Sequence, residues 1–268
     1  MTLAVCATPI GNLDDVTLRV LAELRAADVV LAEDTRHTRT LLRRHAVDTP
    51  LLSYHEHNEA ARVRELVPRL EAGERIALVS DAGLPGISDP GVRLIRAARE
   101  RGVEVTVLPG PSAVETALVA SGLAAGRYAF VGFLPRRAAE LGLLWRELSG
   151  WTWPVVAFES PKRLPTSLAS LAAVQPERVV AVCRELTKTF EEVVTGTAAE
   201  VAARFREPPL GEITVVLAPA VTVPAADVEE ARRAVAELVA AGTPRRVASD
   251  VVSRLTGTSK NDLYRSTL

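Results

Sequence analysis

The first half of this sequence alternates strand-like and helix-like segments, and that alternation limits the folds open to it. Aliphatic and β-branched runs at Leu3–Ala7, Val29–Glu33, Leu51–Tyr54, Arg75–Ser80 and Glu104–Leu108 are separated by helical patterns such as Val16–Ala27 and Glu59–Glu71. Within Val16–Ala27, Leu18, Leu21 and Leu24 recur at helical spacing with Arg19, Glu23 and Arg25 around them. Parallel strands need long crossovers, so this repeat predicts a mostly parallel sheet with helices on both faces. A break falls near Gly126–Pro135. Beyond it, strands are expected at Val155–Phe158, Val179–Cys183, Glu192–Thr195 and Ile213–Leu217, with helices at Pro161–Leu171 and Thr197–Arg206. Their connections are less regular, which points to a second, mixed sheet. The segment APAVTVPAA (218–226) reads as a linker. After it, Val228, Ala231, Val235, Leu238 and Val239 form one helical stripe, and the last segment reads as helix, TG turn, helix. The expected organisation is an N-terminal α/β domain (1–125), a C-terminal α/β domain (126–220) and a helical tail (221–268).

Composition excludes several classes. With 48% hydrophobic and 24% charged residues, the chain can bury a core. No apolar run reaches the roughly 18 residues that span a membrane, and MTLAVCATP has no basic flank typical of a signal peptide. Cys6 and Cys183 both sit inside apolar runs, as small buried hydrophobes would, which fits a reducing, cytoplasmic setting. A net charge of −1 is not that of a protein that coats nucleic acid, so any such contact must be local. Only Lys162, Lys188 and Lys260 are lysine, so arginine richness is a bias of the whole chain and is not itself a binding signal.

In open α/β sheets ligands bind beyond the carboxyl ends of the strands. The loops at those ends are TPIGNLDD (8–15), SDAGLPGISDPG (80–91) and PGPSA (109–113) in the first half, then ESPKR (159–163), CRELTK (183–188) and LGEITVV (210–216). Three of them are rich in glycine and proline, which allow close backbone approach and fix loop shape. No GxGxxG opens a helix, no GxxxxGK precedes a Ser or Thr, and no Ser, His and Asp set sits at a nucleophile elbow. From the residues alone, the chain is an α/β enzyme with a preformed polar cleft between two domains.

These loops, with AEDTRHT (32–38) and GFLPRR (132–137), closely resemble in order and spacing the ribosomal small subunit methyltransferase I family, whose members have the tetrapyrrole-methylase fold. The likeness covers roughly residues 4–217, and the TGTSKNDLY tail is also similar. The resemblance implies an S-adenosylmethionine-dependent enzyme, a class III methyltransferase, that 2′-O-methylates a cytidine in the decoding centre of 16S rRNA, within the 30S subunit and as a homodimer. It implies that Pro9, Ser80, Asp81, Leu84, Ser112, Ala113, Glu159 and Leu186 line the cofactor site. Leu84 stands where the family usually has threonine, keeping the apolar contact without the hydroxyl.

A ribose hydroxyl is a weak acid, so a base or a cation near the cleft is expected to assist. Asp34, Asp89, Glu159, Lys162, Glu185 and Lys188 lie in the cleft loops, and Asp34 and Lys162 are the chosen catalytic candidates. His55 and His57 of the HEH segment would share a face of a strand, but no carboxylate or cysteine set completes a metal site, so no metal is expected. RHTRTLLRRH (36–45) contains no acid, and on a helix Arg36, Arg39 and Arg43 share one face, a candidate for RNA phosphates. Arg136, Arg137, Lys162 and Arg163 form a second basic group. The competing expectations are a methyltransferase of the same fold acting on a tetrapyrrole or a protein side chain, and a regulator that binds nucleic acid through a helix-turn-helix tail.

Overall fold

The computed structural model describes residues 2–220 and 228–266, so the expected linker at 218–226 lies, from 221 on, outside the described residues. The chain divides into two compact units, Met1–Pro219 and Ala220–Leu268. The first unit begins with β1 (Thr2–Cys6), α1 (Leu18–Ala26), β2 (Val29–Ala32), α2 (Thr35–Arg44), β3 (Leu51–Ser53), α3 (Glu59–Glu71), β4 (Arg75–Leu78), α4 (Val92–Glu100), β5 (Glu104–Leu108) and α5 (Ala113–Ala120). The five strands form one sheet in the order β3-β2-β4-β1-β5, every pair parallel. Strand residues alternate between its faces. Ala4, Cys6, Val30, Ala32 and Ala77 pack under Val20, Leu24, Leu41 and Leu42 of α1 and α2. Leu3, Val5, Leu31, Ile76 and Leu78 pack under Leu66, Leu70, Leu94 and Ala98 of α3 and α4. Apolar side chains are needed on both faces, which is why these strands read as continuous hydrophobic runs.

The second half contributes β6 (Ala129–Phe133), α6 (Ala138–Leu148), β7 (Val155–Glu159), α7 (Leu164–Val174), β8 (Val179–Arg184), β9 (Glu192–Thr197), α8 (Ala198–Arg204) and β10 (Ile213–Leu217). Its sheet runs β6-β7-β10-β8-β9, with only β6 and β7 parallel, so it is mixed. Thr197 and Glu200 close a reciprocal capping box that fixes the start of α8. One face of this sheet is covered by α6, α7 and α8 through Trp145, Leu148, Leu168 and Val201. The other face is covered by α5, which follows β5 of the first sheet: Val114, Ala117 and Leu118 pack with Val156, Ala181 and Val216. The α5 helix therefore joins the two sheets into one body.

The segment expected as a break, Gly126–Pro135, contains β6. It is an edge strand whose register with β7 shifts between Phe130 and Phe133, and Gly132 there has φ of 70°. A glycine bulge interrupts the alternation that marks a strand. The second unit comprises α9 (Val228–Ala240), α10 (Arg245–Thr256) and α11 (Lys260–Ser266) around Ala231, Val235, Ala248, Val252 and Leu263. Gly257, at φ 72°, ends α10 in the left-handed conformation at the expected TG turn. Among the described residues no helix is long and apolar enough to cross a membrane.

Candidate active site

The strand order places β4, β1 and β5 side by side, so the three Gly/Pro-rich loops that follow them emerge together at the carboxyl edge. They are fastened by backbone pairing. Thr8 and Gly83 exchange N–H···O bonds at 2.8 and 3.1 Å, and the Thr8 hydroxyl donates to the Ser80 carbonyl at 2.9 Å. Further along, the Gly91 N–H and the Tyr54 hydroxyl each donate to Glu59 Oε1 at 3.0 Å. Tyr54 is fully buried and Glu59 nearly so, so this network anchors the far end of the 80–91 loop to α3.

From the other half, the loop after β8 meets the loop after β1. The Asn12 N–H donates to Thr187 Oγ1 at 2.9 Å. A Cβ at Gly11 would stand 2.6 Å from Lys188 Cγ and 2.8 Å from the Leu186 carbonyl oxygen, so only glycine permits this approach. Ser88, Glu185 and Thr187 have φ of 65°, 52° and 68°. They hold left-handed backbone in the cleft loops, where strained geometry is retained only under tight constraint.

Between the halves lies a cavity of about 690 Å³, within the range of roughly 300–1,000 Å³ usual for small-molecule sites. Its floor comes from the loops after β1, β4 and β5, and its far wall from Phe133, Phe158, Glu159, Leu186 and Thr214. Glu33, Asp81, Asp89, Glu115, Glu159 and Glu212 line it, while no lysine, arginine or histidine does so among the described residues. Burial, then the nearby Asp81 carboxylate, raises the Glu33 acid above its ordinary range. Burial, then Glu33, pushes Asp89 up to about 6, with the Ser80 hydroxyl partly opposing the rise. Phe133 is 61% exposed and stands edge-on to Phe158 at 5.5 Å between centroids, turned to the cleft by the Gly132 bulge. A second cavity of about 170 Å³ adjoins the first, sharing Ile10, Asp81, Ala82 and Glu212 as a common wall. Its remaining lining includes Thr8, Pro9, Gly11, His37, Thr38, Leu41, Ser80 and Lys188.

The residues expected at the cofactor site fall in these two cavities. Asp81, Leu84, Ser112, Ala113, Glu159 and Leu186 line the large one, and Pro9, Ser80 and Asp81 line the small one. Several have structural partners. The Ser80 hydroxyl is 3.2–3.3 Å from the carbonyls of Gly83 and Ala82, and Glu159 receives bonds from Ser160 N–H, Ser167 Oγ and Arg163. Asp81 Oδ1 accepts the Asp34 N–H at 3.1 Å.

Asp34 caps α2 through the Arg36 N–H and is held by both nitrogen branches of Arg36 at 2.8 and 3.1 Å. Those bonds keep its carboxyl far below the ordinary range, which makes it a poor base. Lys162 lies exposed in the turn before α7 and lines neither cavity. Arg39, Arg43 and Arg136 are exposed, whereas Arg137 pairs with Glu140, and Arg163 donates to the carbonyls of Leu134 and Pro135 as an internal tether. His55 and His57 occupy a turn, not a strand, with ring centroids 5.9 Å apart, and no group of potential metal ligands occurs among the described residues. Glu33 and Phe133 were absent from the expected lining. Glu33 ends a strand run and could have been found by the carboxyl-end rule, but Phe133 depends on a bulge.

Fold and cleft together define a class. Residues 2–202 match the family model of tetrapyrrole (corrin/porphyrin) methylases. Among solved structures, the methyltransferase CobJ gives a TM-score of 0.62 at 19% identity, covering 82% of this chain and 93% of that one. A uroporphyrin-III C-methyltransferase from Thermus thermophilus complexed with S-adenyl homocysteine gives 0.56 at 20% identity, covering 83% and 99%. Within that class, the ribosomal RNA small subunit methyltransferase I of Mesorhizobium japonicum is 42% identical over 99% of this chain and 91% of its own length. That of Thermotoga maritima is 44% identical over 216 residues, which is 80% of this chain and 97% of the relative. This chain belongs to the ribosomal RNA small subunit methyltransferase I family.

Proposed function

We propose that this protein is an S-adenosylmethionine-dependent methyltransferase of 16S rRNA, acting on the ribose 2′-hydroxyl of a cytidine, in the cytoplasm, on the 30S subunit and as a homodimer. The observation that carries the cofactor reading is the one-signed lining of the large cleft. Six carboxylate residues, of which Glu159 and Glu212 are ion-paired to Arg163 and Lys188 behind the lining, and no basic residue in the lining among the described residues favour a cationic ligand and oppose a phosphate-bearing one. The residues fit this cofactor: carboxylates suit its sulfonium and ammonium charges, and apolar Leu84, Phe158 and Leu186 suit its uncharged surface. When bound, S-adenosylmethionine supplies an activated methyl group, so the protein's task is alignment and proton transfer. Asp81, on the wall common to both cavities, faces ligands in either one. The names of the relatives support RNA as acceptor, and the exposed Arg39, Arg43, Arg136 and Lys162 supply local positive surface.

The test is transfer of methyl groups to unmethylated 30S particles, followed by nuclease digestion and mass spectrometry. The expected product carries methyl on a cytidine ribose. Methyl found only on a base, or no transfer to RNA at all, rejects the reading. Calorimetry with and without a chelator should give the same affinity for S-adenosylmethionine.

A further inference from the structure

The small cavity carries Pro9 and Ser80 of the expected cofactor lining but lies to one side of the large cleft, and its position is informative. At about 170 Å³ it is too small for a whole cofactor but holds several times the roughly 30 Å³ share of one water molecule. That is the scale of a single sugar or base ring. It shares the Asp81–Ala82 wall with the large cleft, so a ring seated in it lies next to the cofactor site. Its opposite wall is α2, which contributes His37, Thr38 and Leu41 to the cavity and presents exposed Arg39 and Arg43. One helix therefore combines a ring-sized recess with cationic surface, as a nucleotide drawn out of a single strand requires.

Four ionisable groups line the recess: His37, Asp81, Lys188 and Glu212. Lys188 Nζ is committed to Glu185 Oε1 and Glu212 Oε2, each at 2.8 Å, which occupies Glu212 as well. Asp81 accepts the Asp34 N–H. The His37 ring has no hydrogen-bond or ion-pair partner among the described residues, and it stands exposed at the rim.

Resting on the rRNA methyltransferase reading, we infer that this recess is the acceptor subsite for the target ribonucleotide and that His37 is the catalytic base that takes the proton of its 2′-hydroxyl. As the acceptor oxygen forms its bond to the methyl carbon, its proton passes to the neutral imidazole. The electron pair of the broken carbon–sulfur bond stays on sulfur, leaving a neutral thioether and an imidazolium. Lys188, held by two carboxylates, forms a fixed part of the recess wall.

The test uses the full-length protein and the variants His37→Ala and His37→Gln. Because the side chain is exposed and unpartnered, both should fold and bind S-adenosylmethionine as the parent does, within about twofold. On 30S particles kcat should fall by about 10²–10⁴-fold, the usual weight of a general base. Added imidazole should restore part of the rate to His37→Ala and none to His37→Gln or the parent. Independently of turnover, the His37 ring resonances of the parent, saturated with S-adenosylhomocysteine, should shift when a cytidine-containing single-stranded oligoribonucleotide is added. Parent-like kcat in both variants, loss of rate without imidazole rescue, or unmoved ring resonances would each overturn the inference. If the parent itself transfers no methyl to RNA, the functional reading falls and this inference falls with it. Parent activity with indifferent variants removes only the inference.

Discussion

Asp89 lies in the loop after β4, where burial and the adjacent Glu33 carboxylate push its acid up to about 6. A carboxyl group with a raised folded-state pKa stabilises the fold fully below its unfolded value near 4 and loses that contribution as pH rises through 6. Above pH 7 the ionised group therefore works against the ligand-free fold. Asp89→Asn should raise stability at pH 8 by about 1–2 kcal/mol, a figure reduced for the group's partial exposure, with the gain gone at pH 4. Urea unfolding at the two pH values measures this, and equal effects at both would contradict it. Gly11 gives a second test at this scale. Gly11→Ala places a Cβ against Lys188 Cγ and the Leu186 carbonyl, so it should cost about 1–3 kcal/mol and weaken cofactor binding as the loops part. An unfolding midpoint and an affinity both unchanged would show that the loops yield freely. These residues differ in how far the sequence discloses them. Gly11 and Asp89 stand in visibly unusual loops. The exposure of Phe133 to the cleft follows from a register shift between β6 and β7, and no local pattern announces that pairing.

The helix α2 shows how an element can be legible while its surface chemistry is not. The helix supposed for 36–45 is present at Thr35–Arg44, with Leu41 and Leu42 buried. A helical face of Arg36, Arg39 and Arg43 is also visible in the sequence, but not that Arg36 is bound by Asp34 or that Arg44 is bound by Asp14. The cationic surface left for RNA is therefore chiefly Arg39 and Arg43. Removing one arginine from a phosphate should lower the log–log salt slope of RNA binding by about 0.7–0.9. Arg39→Gln with Arg43→Gln should thus flatten it by about 1.4–1.8, with little further change on adding Arg36→Gln. Affinity for S-adenosylmethionine should not change, since none of the three arginines lines the large cleft. A slope unaltered in the double variant would leave α2 as a solvated face. The strand-end loops were likewise legible as loops. Their convergence depends on the order β4-β1-β5, and pairing order is a long-range property that short motifs do not encode.

At the scale of the whole molecule, every residue lining either cavity falls between Thr8 and Thr214, inside the unit that ends at Pro219. That unit has its own cores on both faces of each sheet. The Thermotoga relative is matched over 97% of its length by 216 residues, so it has no room for a counterpart to the remaining 52 of this chain's 268. Among the described residues, the helical unit that follows has a hydrophobic core of five buried side chains, Ala231, Val235, Ala248, Val252 and Leu263. So small a core is marginal by itself, because surface outgrows buried volume in short chains. A chain ending at Pro219 should therefore unfold cooperatively and bind S-adenosylmethionine within about twofold of the parent's affinity. The isolated 220–268 peptide should show at most a broad, non-cooperative melt. If the last unit serves the RNA, its removal should raise KM for 30S particles and leave kcat near the parent value, since every cavity-lining residue is still present. Calorimetry, circular dichroism melts and steady-state kinetics on the two fragments and the parent separate these outcomes. A truncated chain that no longer binds the cofactor would mean that the cleft depends on residues beyond Pro219, and the assignment of the whole site to the first unit would fail.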